Sequence, residues 1–103
     1  MSIDRQILIS KLTQEFGYPP KNAPLVAQKL AQFSPQIASA FEQWWKSGVL
    51  PELSVEGYSL AHLVNERSYN PIAAFLTLDW LVKEPDKAKV VLQKGHDRVS
   101  RGR

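Results

Sequence analysis

The sequence predicts an all-α fold: a single compact domain of five or six short helices, with a central apolar helix near 71–82. Three observations predict it. Apolar residues recur three and four positions apart through most of the chain, the period of helices with one buried face. Proline follows Asn or Ser closely at Asn22-Ala23-Pro24, Ser34-Pro35 and Asn70-Pro71. That pairing starts helices, because the polar side chain caps free amides while a first-turn proline forfeits no hydrogen bond. Residues 70–82 (NPIAAFLTLDWLV) are apolar on nearly every side, interrupted only by Thr77 and Asp79, so other protein must surround them.

Ser2 is expected to cap the first helix, with Asp4 in the opening turn complementing the dipole. Ile3, Ile7, Leu8, Leu12 and Phe16 form its apolar stripe, and Gly17 stops it. Tyr18-Pro19-Pro20 is a rigid connector. The second helix opens at Asn22 and carries Leu25, Val26, Leu30 and Phe33 on its apolar side. The third begins after Ser34, turns Ile37, Phe41, Trp44 and Trp45 inward, and ends at Gly48.

Residues 49–57 (VLPELSVEG) read as a loop packing Leu50 and Leu53 onto the body. A fourth helix runs from Tyr58 or Ser59 to Arg67, with Leu60, Leu63 and Val64 apolar. The central helix follows at Pro71 and stops before Pro85, since the residue preceding a proline disfavours helix. Asp86 caps a last helix over 87–94, with Val90, Val91 and Leu92 as its apolar part and Gly95 as its end. A hairpin around Lys94-Gly95 is the alternative. Residues 95–103 hold one apolar residue, Val99, and read as a basic disordered tail, leaving 1–94 as the helical domain.

Laid over itself at an offset of 51, the chain aligns Leu12 with Leu63, Glu15 with Glu66, Tyr18 with Tyr69 and Pro20 with Pro71. Ala23 then meets Ala74, Leu25 meets Leu76, and Leu30 meets Leu81. Both halves read helix, Tyr-x-Pro turn, helix, which implies two helical hairpins of the same local geometry packed together.

An apolar fraction of 44% with ten aromatics supports a core without staples. Cysteine is absent, which removes disulfides, thiolate nucleophiles and Cys-based metal sites. Nothing resembles a signal peptide, and residues 72–82, broken by Asp79, fall short of the about 20 needed to span a bilayer. A soluble cytoplasmic protein with no membrane contact is expected. The net charge of +3 is unevenly distributed: residues 1–82 hold six cations against seven carboxylates, whereas 83–103 hold seven against three. Polyanion binding must therefore live at the C-terminus, on Lys87, Lys89, Lys94, Arg98, Arg101 and Arg103. No aromatic interleaves them to stack on bases.

Leu12, the Phe16-Gly17-Tyr18 turn, an alanine in the second helix and Ile37-Ala38 through Trp45 resemble the ubiquitin-associated (UBA) three-helix module across 12–48. That family's Met-Gly-Phe/Tyr loop stands here as Phe16-Gly17-Tyr18, matching at Gly17 and Tyr18 and departing at Phe16. The resemblance implies a UBA-like shape and makes Tyr18 the binding residue. Leu63-Val64, the turn Ser68-Tyr69-Asn70, Ala74, Leu78 and Leu81 look like a helix-turn-helix over 63–81. Its second helix would offer DNA Pro71, Ile72, Ala73, Phe75, Leu76 and Asp79. Base edges are read by Arg, Lys, Asn and Gln, and phosphates are held by cations; this surface has none and carries a carboxylate.

Catalytic patterns are absent. His62 and His96 share no ligand spacing, and HExxH, DxD, GxSxG and Gly-rich phosphate loops are missing. His62 with Glu66 is an i,i+4 pair of the sort solvated helix faces produce. The expectation is a non-catalytic chain without cofactor or metal, acting as a protein–protein interaction module that binds a partner or itself as a homodimer. Tyr18, Trp45, Leu50 and Leu53 are the contact candidates, because they sit at edges or in the loop. Should the helices leave Ile72, Phe75, Leu76 and Trp80 uncovered, a second copy would cover them. The alternative is a nucleic-acid-associated regulator that uses the basic segment on a degenerate helix-turn-helix scaffold.

Overall fold

Caps decide where the helices begin. In a computed structural model describing residues 3–101, with side chains described through Gln93, six helices and one hairpin follow each other. They are α1 (Arg5–Gln14), α2 (Ala23–Ala31), α3 (Pro35–Ser47), β1 (Ser54–Val55), β2 (Tyr58–Ser59), α4 (Leu60–Asn65), α5 (Pro71–Lys83) and α6 (Pro85–Arg101). Ser2 lies outside the described residues. Asp4 caps α1, its carboxylate accepting the amides of Gln6 and Ile7 at 2.8 and 3.3 Å. Ser59 and Asn70 open α4 and α5 in the same way, accepting from His62 at 3.0 Å and Ala73 at 2.8 Å.

Asn22 and Ser34 make no side-chain cap. The chain enters α2 through a turn in which the amides of Asn22 and Ala23 both donate to the Pro19 carbonyl. The last proline does double duty: Pro85 ends α5 and is the first residue of α6, where a missing N–H costs nothing. Residues 86–94 are helix rather than hairpin, and the helix passes Gly95, where the sequence reading placed its end. The side chains of 94–103 lie outside the described residues, and with them the division of the chain at 94/95.

Residues 49–57 are not a plain loop. Ser54 pairs with Ser59 and Val55 with Tyr58 across the two-residue turn Glu56-Gly57. Both turn residues have positive φ, 54° and 85°, the condition for a tight turn that matches strand twist.

The architecture centres on α5, as expected. Ile72, Ala74, Phe75, Leu78 and Leu81 are buried, because α3, α4, α6 and β1 all pack on this one helix. Leu76 and Trp80 are partly buried against the same core. A helix enclosed from several directions has no use for a polar face, which is why the segment is apolar all round. Elsewhere the stripes are narrower than the sequence suggested. Helix α1 buries Leu8 and Leu12, and α2 buries Ala23, Ala27 and Leu30. Ile7, Leu25, Val90 and Val91, expected on inward stripes, are exposed. Ile7 and Val91 adjoin the buried Leu8 and Leu92 in sequence and so point about 100° away from them.

The repeat is visible in the backbone. Tyr18 donates to the Leu12 carbonyl and Tyr69 to that of Leu63, each at 3.0 Å. Ala23 donates to Pro19 and Ala74 to Asn70, again both at 3.0 Å. Gly17 and Ser68, equivalent at the same offset, both turn left-handed at φ 73° and 60°. Ile37 and Phe41 of α3 correspond to Ala88 and Leu92 of α6, and all four are buried. The two hairpins share one geometry.

Candidate functional site

The residues of interest gather around the C-terminal end of α3. Phe41 is its anchor: fully buried, it meets Phe75 edge-on at 5.2 Å and Phe33 at 5.6 Å. One turn further, Trp44 and Trp45 flank the Phe41 ring at 5.7 and 5.8 Å. Adjacent helical positions diverge by about 100°, so both indoles cannot sit in the core, and each is half-buried. Trp44 reaches Phe16 of the α1–α2 junction at 5.9 Å. From α1, the Lys11 ammonium lies 4.7 Å from the Trp45 ring centroid and pairs with Glu15 at 3.6 Å. Lys11, Glu15, Phe16, Trp44, Trp45 and Gly48 line an open depression of about 310 Å³.

Gly48, at φ 77°, terminates α3 and turns the chain outward. Val49 follows, and at 69% it is the most exposed of the large apolar side chains among the described residues. Leu50, Pro51, Glu52, Leu53 and Ser54 then line a second, shallow depression of about 580 Å³ with Ser59 and Ala61. Three of the four residues expected to contact a partner, Trp45, Leu50 and Leu53, thus flank the α3 terminus, all partly buried against the core. Tyr18 is placed apart. Its hydroxyl stands 3.5 Å from the Asn70 amide nitrogen, at the long limit of a hydrogen bond, where the two hairpin junctions meet. Lys11, Glu15, Phe16 and Val49 escaped the sequence reading. The i,i+4 spacing of Lys11 and Glu15 was the available signal.

A third depression, about 400 Å³ between α2 and α5, is lined by Lys29, Gln32, Leu76, Thr77, Asp79, Trp80, Lys83 and Glu84. Asp79, Lys83 and Thr77 in it are already committed to holding the fold. The Asp79 carboxylate accepts the Ser34 amide at 2.9 Å and pairs with Lys83 at 2.8 Å. Lys83 also donates to the Gln32 carbonyl at 2.7 Å. Asp79 therefore fixes the start of α3 by accepting the amide of the N-cap residue Ser34 itself. Thr77, also on α5, returns its hydroxyl to the Ala73 carbonyl.

Of the six cations expected to meet a polyanion, two are described with their side chains, and both are paired. Lys87 meets Glu84 at 3.1 Å, and Lys89 meets Glu56 of the hairpin turn at 2.7 Å. The hydrogen bond to Glu56, and then its charge, raise the Lys89 pKa. Lys94, Arg98, Arg101 and Arg103 have side chains outside the described residues. Within the helix-turn-helix stretch, Ile72, Phe75 and Asp79 of α5 are buried, so those positions are closed to a DNA groove. His62 contacts Glu66 one turn on, and among the described residues no three of His, Cys, Asp and Glu converge. Among the same residues, no helix is long and apolar enough to cross a membrane. No protein-family model matches this chain, and no curated protein or solved structure matches it either.

Proposed function

We propose that this protein is a small non-catalytic interaction module that docks a protein partner on the surface around the end of α3. One observation carries the reading. Val49 stands exposed in the chain between Gly48, which lines a depression with Trp45, and Leu50, which lines one with Leu53, so apolar side chains run from the end of α3 into the segment that follows. Binding would bury those side chains, with Trp45 as the anchor type that dominates interface energetics. The test uses Val49→Asp. It leaves the core untouched and is expected to change stability by less than about 0.5 kcal/mol, yet to abolish capture of the partner that the unaltered protein retrieves from its native cell. Retention of that partner would reject the surface. Light scattering on the same variants asks whether the partner is a second copy. A cytoplasmic location belongs to this reading and is tested by fractionation.

A second reading has one observation in its favour. Positions 87, 94, 98 and 101 recur at roughly the 3.5-residue spacing that keeps to one side of a helix, and α6 is helical throughout that span. A nucleic-acid-associated role on this basic register predicts affinity that falls steeply with salt and vanishes with residues 95–103, whereas the apolar surface is insensitive to both.

A further inference from the structure

The depression between α1 and α3 combines two features that recognise one kind of ligand. Three aromatic residues, Phe16, Trp44 and Trp45, line it together with Glu15 and Lys11. Aromatic faces are negative at their centres, and with a nearby carboxylate they attract an alkylammonium group that keeps its charge while shedding water. The chain itself displays that chemistry, since the Lys11 ammonium sits 4.7 Å from the Trp45 centroid with Glu15 at 3.6 Å. The Lys11 and Glu15 side chains remain 44% and 56% exposed, so nothing locks this internal occupant in place. An exposed ion pair of this kind contributes little and is readily exchanged.

We propose that this depression is a cation cage for the side chain of a lysine, plain or methylated, on the protein partner, and that Lys11 occupies it until that lysine displaces it. The proposal rests on the docking surface above and names the chemistry of one of its contacts. Choline chloride is a suitable probe, titrated against the indole N–H signals of Trp44 and Trp45, with uncharged 3,3-dimethylbutanol as its isostere and sodium chloride as the ionic-strength control. Choline is expected to shift both signals saturably and the isostere not to. Removing the internal competitor with Lys11→Ala is expected to tighten choline binding by up to about fivefold, the range of an exposed ion pair. Glu15→Gln is expected to weaken it by a similar factor.

Trp45→Ala is avoided because Trp45 also packs on Phe41; Trp45→Phe keeps a ring there while weakening the cation–π attraction. Equal shifts with choline and its isostere, or no tightening in Lys11→Ala, would overturn the cage. If the cage fails while Val49→Asp still abolishes partner capture, the docking surface stands without it. If Val49→Asp leaves capture intact, the docking surface itself is refuted.

Discussion

Asp79 is the one buried charged residue among those described, and replacing it with alanine tests how α5 organises its neighbours. Alanine at this position removes the acceptor of the Ser34 amide and the partner of Lys83. A part-buried amide left without an acceptor costs about 1–3 kcal/mol, toward the lower end where water can reach it. The ion pair adds about 1 kcal/mol at most, because Lys83 is half exposed and its ammonium can return to water. Alanine recovers about 0.5 kcal/mol through its better helix propensity. The net loss is about 0.5–3.5 kcal/mol, a drop of roughly 2–28 °C in Tm for a domain of this size. Asp79→Asn keeps an oxygen for the Ser34 amide and sacrifices only the charge, so its expected cost is about 1 kcal/mol. Urea titrations followed by circular dichroism at constant m-value provide the measurement. An alanine variant within about 0.5 kcal/mol of the parent, or asparagine as damaging as alanine, would refute the assigned role of Asp79 at the α3 terminus.

Other outcomes are equally specific. Ser68→Gly relieves a left-handed serine and is expected to stabilise by about 0.5–1 kcal/mol, whereas Gly17→Ala costs about 1 kcal/mol at the equivalent turn, where an added Cβ meets no atom within 4 Å; paired urea melts would show the opposite signs. Leu25→Ser should leave stability within about 0.5 kcal/mol of the parent, while Leu30→Ala, five residues along the same helix, should cost about 2–5 kcal/mol. Because Lys89 binds its proton more tightly when folded, the stability it contributes is intact below its ordinary value of 10.5 and is lost as pH climbs beyond it. Lys89→Met is expected to flatten the stability profile in that alkaline window alone, measured by urea melts from neutral pH upward.

Features that depend on local chemistry were legible in the sequence. Asn70 with Pro71, Ser59 and Gly48 each mark a boundary through a cap, a first-turn proline or a left-handed stop, and the structure places boundaries there. Reading failed where neighbours in space decide. In the contiguous runs Ile7-Leu8-Ile9 and Leu25-Val26, periodicity does not reveal which residue faces the core, and the small Ala23 and Ala27 took places assigned to larger side chains. The hairpin escaped notice because Glu56, not Asn or Gly, occupies its first left-handed position. Asp79 read as an interruption, since its partner Ser34 lies 45 residues away. At the candidate site Trp45, Leu50 and Leu53 were singled out from their edge positions. Lys11, Glu15 and Phe16 were not, because only tertiary packing brings α1 beside α3.

The floor beneath α3 belongs to the other half of the chain, and this has a consequence for synthesis. Phe41 and Trp44 rest on Phe75, which a ribosome adds roughly thirty residues later. At about 5–20 residues per second, the nascent polypeptide carries those rings uncovered for about 2–6 s. The aromatic end of α3 is completed by the second hairpin, so translation pauses between the two would lengthen the exposure of these rings.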